Sequence, residues 1–325
     1  MSASPLPAAA PPIPWWRNRR LLPWLLQAGV GLIVLVLVAF LVSNLVRNLT
    51  AAGLLLSFGW LDNPAGFPIA ETALPYEPAM PYWRALAAGL VNTLRVVLAG
   101  LVGASVLGVL AGSAAFSSNG LLRRLARSYV ELIRNIPLLL QLVFWYFVVF
   151  LALPNGSAAI QLPGLVLAKS GLYLGAAQLV NGVWQAPISL SVEFGALLTG
   201  LVVYTGAFIA EVVRGGVASV PRGQWEAARS LGLSQPQTLV RIVLPQALRV
   251  IVPGLNSQFI SLAKNSSLAV ACGYPDFYSV ASTTGNQTGR DVEVVLILLG
   301  AYLVIDLLIS ALMNGVNRLV QLKER

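Results

Sequence analysis

Between residues 24 and 46 the chain carries no charged side chain. Five further stretches are nearly as apolar, near 86–116, 130–153, 190–213, 248–271 and 292–318. Each reaches the roughly 20 residues that a hydrocarbon core of about 30 Å demands of a helix. A backbone in lipid must satisfy its own polar groups, so the expected fold class is all-α, a polytopic membrane protein of six spans. Composition agrees: 57% of the 325 residues are hydrophobic and 10% are charged, too few charges to cover a soluble surface. There is no histidine and one cysteine, Cys272. That excludes Ser-His-Asp and Cys-His catalysis, His-ligated zinc, an intrachain disulfide and Cys-ligated clusters. No metal site is expected.

Residues 1–20 read as a disordered cytoplasmic tail that ends in an interfacial anchor of Trp15, Trp16, Arg17, Arg19 and Arg20. The segment 21–46 is too long for a typical signal-peptide core, and no A-x-A site follows it. It is expected to remain as a transmembrane helix. Proline and glycine make 47–85 a periplasmic loop. Pro154, Pro163 and Pro187 interrupt 154–189, expected to be a loop with a short interfacial or re-entrant helix. With both termini in the cytoplasm, fourteen of the 21 Lys and Arg fall on the cytoplasmic side. Arg47, Arg84, Lys169 and Arg290 fall on the other, and Arg95, Arg134 and Lys264 lie in or near spans. This positive-inside asymmetry accounts for the net charge of +9 without nucleic acid.

The segment 214–247, between the fourth and fifth spans, holds the most specific pattern. It reads Glu226-Ala227-Ala228, three residues, Gly232, nine residues, then Ile242-Val243-Leu244-Pro245. Trp225, Ala228 and Leu231 recur at helical spacing. Gly232 suits a left-handed C-cap, and Ser234 with Gln237 suits a capping box around Pro236. Pro245 is expected to end or kink the second helix. The result is a helical elbow able to fit a groove on a soluble partner.

The spacing EAA-x3-G-x9-I-x-L-P resembles the signature of permease subunits of bacterial ATP-binding-cassette importers. Gly89–Leu94 (GLVNTL), Arg134-Asn135-Ile136-Pro137-Leu138, Tyr204–Glu211 (YTGAFIAE), Arg214-Gly215-Gly216 and Ala263–Leu268 (AKNSSL) resemble the polar amino-acid uptake branch. Leu190–Phe194 (LSVEF) and Gly273-Tyr274-Pro275-Asp276 resemble its general L-amino-acid members. The resemblance covers 86–325. It implies a five-helix type I permease core, with 21–46 as an extra helix, and an ATPase-coupling role for Glu226, Ala227, Ala228, Gly232, Ile242, Leu244 and Pro245. It implies a cytoplasmic ATPase dimer that binds ATP and Mg, a periplasmic amino-acid-binding protein, and a second permease subunit, with a homologous heteromer favoured over a homodimer. The chain itself has no Gly-x4-Gly-Lys-Ser/Thr phosphate loop, so no bound cofactor and no enzymatic activity of its own are expected.

Polar residues crowd the fifth span: Asn256, Gln258, Ser261, Lys264 and Asn265. They are expected to line a hydrated path or a helix broken at Pro253 and Gly254, faced by Asn135 and Gln141 of the third span. Glu193 and Asp306 are the expected pathway carboxylates, and Glu211 with Arg214 the expected gate. Asp306 would pair within the bundle, with Asn314 or Lys264. Gly100, Gly103, Gly108 and Gly112 read as a close-packing stripe. Two rival readings remain: an ion-coupled secondary transporter that uses the membrane carboxylates, and a purely structural membrane anchor.

Overall fold

The structure is a computed structural model that describes residues 22–51, 53 and 56–321. The expected tail at 1–20 lies outside them. The chain divides into two compact units, the second beginning at Phe58. The first unit contains one helix, α1 (Leu22–Ala51), which runs five residues past its expected end. It is apolar on every side, the composition of a helix that faces lipid.

The second unit is built on four long helices: α2 (Tyr82–Ala114), α5 (Val192–Ala218), α8 (Leu244–Asn265) and α10 (Asp291–Val320). Among the described residues, five helical stretches are long and apolar enough to cross a membrane: α1, α2, α5, the run Gln235–Ala271 that contains α8, and α10. α2 and α5 pack through the glycine stripe. A Cβ on Gly108 would sit 2.5 Å from Ile209, and one on Gly112 would sit 2.7 Å from the Ala210 carbonyl. Only hydrogen at those positions lets the two backbones approach so closely.

The expected third span is not one helix. α3 (Gly120–Arg134) and the following segment Leu138–Phe150 meet at 106°. That segment is α4 (Leu138–Val143) continued as a π-helix over Phe144–Phe150. Pro137 lacks an N–H and disfavours helical geometry at Ile136, so the helix stops there. The freed carbonyls of Ile133 and Ile136 each accept a hydrogen bond from Gln141 Nε2 at 2.9 Å. Asn135 Nδ2 donates to the Glu131 carbonyl at 2.7 Å.

Residues 154–189 correct a second expectation. In place of a loop with a short interfacial or re-entrant helix, six short strands follow one 3-10 turn: β1 (Ile160–Leu162), β2 (Leu165–Ala168), β3 (Gly171–Leu174), β4 (Gln178–Val180), β5 (Val183–Gln185) and β6 (Ile188–Leu190). They form an antiparallel sheet ordered β1-β2-β3-β6, plus the hairpin β4-β5. Asn181 (φ 50°) and Gly182 (φ 79°) turn that hairpin. Val166, Ala168, Tyr173 and Trp184 make its small core. The segment before α2 packs Trp60 and Phe67 against Tyr82 and against Phe277 and Val280 of α9 (Phe277–Thr288).

Pro253 and Gly254 do not break the fifth span, which stays helical through both and tightens to 3-10 geometry only over Ser266–Ala271. A Cβ on Gly254 would meet Val212 at 2.7 Å, so this glycine serves packing against α5. Pro245 does not end its helix either. The preceding turn, Leu239–Val243, is π-helical, and Pro245 falls in the first turn of α8. An N–H is dispensable there.

Candidate functional site: the elbow and the ionic clusters of the helical core

The elbow is α6 (Arg222–Ser230), a left-handed turn and α7 (Gln235–Thr238), which leads through the π turn into α8. Gly232 has φ +76°. Its N–H donates to the Arg229 carbonyl at 2.9 Å, and the Leu233 N–H donates to Ala228 at 3.1 Å. This is the Schellman arrangement, which satisfies the last carbonyls of α6. Gln237 Oε1 accepts the Ser234 N–H at 2.9 Å, the return half of the capping box. Ala228 is buried and Trp225 packs on the main core, but Leu231 is 79% exposed. The helix ends at Ser230, so Leu231 leaves the face it was expected to share. Glu226 and Ala227 are exposed, Ile242 lies within the π turn, and Leu244 and Pro245 open α8. Gln246 ties the two arms together, donating to Gln224 at 3.3 Å and to the Ile242 carbonyl at 2.9 Å. A cavity of about 500 Å³ opens beside Arg222, Trp225, Glu226 and Arg229.

The polar residues of α8 are only partly brought together. Gln258, Ser261, Lys264 and Asn265 line one cavity of about 300 Å³. Its opposite wall is Tyr204 and Phe208 of α5, not the expected Asn135 and Gln141. Those two side chains are committed to the carbonyls at the end of α3, and Gln141 is buried. Asn256 is not among the residues that line this cavity.

Every in-span acid expected to matter has a partner. Asp306 Oδ2 lies 3.2 Å from Lys264 Nζ. Glu193, in the first turn of α5, accepts from the Tyr146 hydroxyl at 3.1 Å. Glu211 accepts from Arg214 Nε at 3.0 Å and lies 3.9 Å from Arg134. The Arg134 guanidinium also sits 5.1 Å over the Phe208 ring. This cluster opens on a cavity of about 410 Å³ shared with Arg127 and Glu131.

Sequence reasoning missed one ionic pair. Glu71, in the segment before α2, lies 3.2 Å from Arg95 of α2. Its other oxygen accepts the Ser191 N–H at 3.2 Å, and its carbonyl accepts from Asn92 Nδ2 at 2.7 Å. Asn92 also bonds the Pro275 carbonyl, and Thr93 accepts the Phe277 N–H. The GLVNTL stretch is thus a clamp between α2, the Glu71 segment and α9. Arg95 itself was the available signal, because an arginine near a span needs a partner.

Residues 104–322 match the family of binding-protein-dependent transport system inner membrane components. The chain belongs to this family. It is 38% identical to the putative amino-acid ABC transporter permease protein YhdX of Escherichia coli, over 93% of this chain and 95% of that one. It is 35% identical to the general L-amino acid transport system permease protein AapQ of Rhizobium johnstonii, over 87% of each. A crystal structure of an amino acid ABC transporter with histidines matches with a TM-score of 0.57 at 26% identity, over 73% of this chain and 94% of that one. The permease is therefore a multi-pass inner-membrane transport component of the ABC importer type. Membership of this family leaves the ion-coupled and anchor-only readings without support.

Proposed function

We propose that this permease carries amino acids delivered by a periplasmic binding protein, driven by a separate cytoplasmic ATPase dimer that binds ATP and Mg. The observation that carries the reading is the elbow. A Schellman turn and a capping box rigidify two short helices, and the second runs without interruption into the span that bears the polar cavity. Force applied at Glu226–Gly232 therefore reaches Gln258, Ser261, Lys264 and Asn265 through one rod. Its cargo class rests on the amino-acid permeases it resembles over nearly its whole length.

The arginine-rich elbow side is assigned to the cytoplasm by the positive-inside rule, with both termini there. The β-insert, α9 and the Glu71 segment then lie on the periplasmic side. Ser257, Ser261 and Lys264 lie on an exposed face of α8. Polar groups facing lipid are costly, which supports a second, homologous permease subunit across that face.

The test is uptake of labelled amino acids into proteoliposomes holding the purified complex. Uptake that needs ATP inside, needs the binding protein outside and ignores ionophores supports the reading. Uptake driven by an ion gradient alone would refute it.

A further inference from the structure

The Glu71–Arg95 pair has the composition of a receptor already occupied. Arg95 stands beside the first turn of α5, its guanidinium 5.4 Å from the Phe194 ring centroid. The Glu71 carboxylate meets that cation at 3.2 Å and the Ser191 N–H at 3.2 Å. A guanidinium and a backbone N–H converging on two carboxylate oxygens form a carboxylate site of the ordinary kind. The pair is partly sheltered, with side chains 29% and 17% exposed. The Glu71 backbone is pinned by Asn92, so the segment has no need to leave for the site to empty. Rotation of one side chain suffices. Room for it exists: Glu71 lines a cavity of about 500 Å³ with Ser170, Tyr173, Ser189 and Ser191. That volume falls in the range of small-molecule pockets.

We propose that Arg95 receives the α-carboxylate of the incoming amino acid, and that Glu71 is a resident stand-in which holds the site until substrate displaces it. The proposal rests on the amino-acid importer reading and on the orientation given above. Arg95 is not part of the cavity wall, so substrate arriving there meets Glu71 first and takes its place on Arg95 only as Glu71 swings aside. The cation is never left unpaired in a poorly solvated place, which keeps the exchange nearly isoenergetic. Displaced Glu71 turns into the hydroxyl-lined cavity. The site reads only the group that all amino acids share, as a permease served by a selective binding protein requires.

The experiment is ATP-driven uptake by the reconstituted complex with its binding protein, using Glu71→Gln, Arg95→Gln and the swapped pair Glu71→Arg with Arg95→Glu. The proposal expects an asymmetry. Arg95→Gln loses about tenfold or more of uptake, as removal of a charge-assisted contact to substrate should. Glu71→Gln removes the competing carboxylate and lowers the substrate concentration for half-maximal uptake by about threefold or more. The swapped pair assembles but stays inactive, because substrate now meets an acid. Equal losses in the two single variants, with recovery in the swapped pair, would show a structural ion pair and overturn the proposal. So would normal uptake by Arg95→Gln. If Arg95→Gln fails to assemble, the swapped pair decides: assembled and inactive supports the proposal, assembled and active refutes it. Absence of amino-acid uptake by the wild-type complex would instead sink the importer reading, before any variant is compared.

Discussion

Lys264 on α8 and Asp306 on α10 form an ion pair of 3.2 Å that joins the polar helix to the last span. Asp306 is 17% exposed at its side chain and Lys264 60%, so the acid is the sheltered partner. Asp306→Asn should therefore weaken the core by about 1–2 kcal/mol, discounted from a fully buried pair because the lysine is open. The double variant Lys264→Met with Asp306→Asn should recover part of that loss. Thermal unfolding of the detergent-solubilised protein measures both. A double variant less stable than Asp306→Asn alone would contradict the pairing.

Gly232 should tolerate a side chain sterically and resist it conformationally. Nothing lies within 4 Å of a Cβ there, but φ is +76°. Gly232→Val should cost roughly 1–2 kcal/mol, all of it at the elbow. The variant should insert normally, yet the complex that holds it should show reduced uptake per ATP hydrolysed by the ATPase subunits. Gly232→Asn, which accepts left-handed geometry more readily, should lose less. Wild-type coupling in Gly232→Val would show that the turn does not transmit force.

Gln141 should matter for the bend and not for the path. Its amide nitrogen bridges two carbonyls that Pro137 leaves open. Gln141→Leu leaves the Ile136 carbonyl without this donor and the Ile133 carbonyl with only the Ile136 N–H at 3.4 Å, at about 1 kcal/mol for two half-buried groups. Lower complex yield and melting temperature are expected, with transport per folded molecule unchanged. A selective loss of transport at normal stability would restore a path role.

Asp276 should make stability fall as pH rises. It caps α9, accepting the Ser279 N–H, and burial pushes its carboxyl up to about 6 from the usual 3.8. Its folded value lies above its unfolded one, so the protonated form favours the folded state. Its contribution is full below about 4 and is lost as pH rises through about 6. Asp276→Asn keeps a capping oxygen and removes the ionisation. Its melting temperature should change less between pH 5 and pH 7 than the wild type's. Parallel pH profiles would count against an ionising Asp276.

Five of the six expected spans were legible because lipid imposes a strong, simple rule on composition; the third, bent by 106° before Leu138, was not. The elbow was legible because Gly232, Ser234 and Gln237 act through local backbone chemistry. Partner choice across the bundle was not: Asp306 had Lys264 as one of two options, while Glu71 sits in a loop with no period to place it. The β-insert had a readable sign that was passed over. Val180-Asn181-Gly182-Val183 carries the Asn-Gly pair that turns a tight hairpin. The mild hydrophobicity of 154–189 fits a short interfacial or re-entrant helix equally well, because strands of three or four residues leave little period to read. Gln141 misled because its polarity looked functional, whereas a proline four residues earlier had already claimed it.

The uninterrupted run from Gln235 to Ala271 has a mechanical consequence. Its 37 residues make a lever of about 55 Å at about 1.5 Å per residue. Tilted by about 10° about its far end, such a lever sweeps its near end by about 10 Å. A small tilt of this lever thus carries its elbow end across about the width of an amino acid. The π turn at Leu239–Val243 and the tightened winding at Ser266–Ala271 are the two places where this beam departs from α-helical winding.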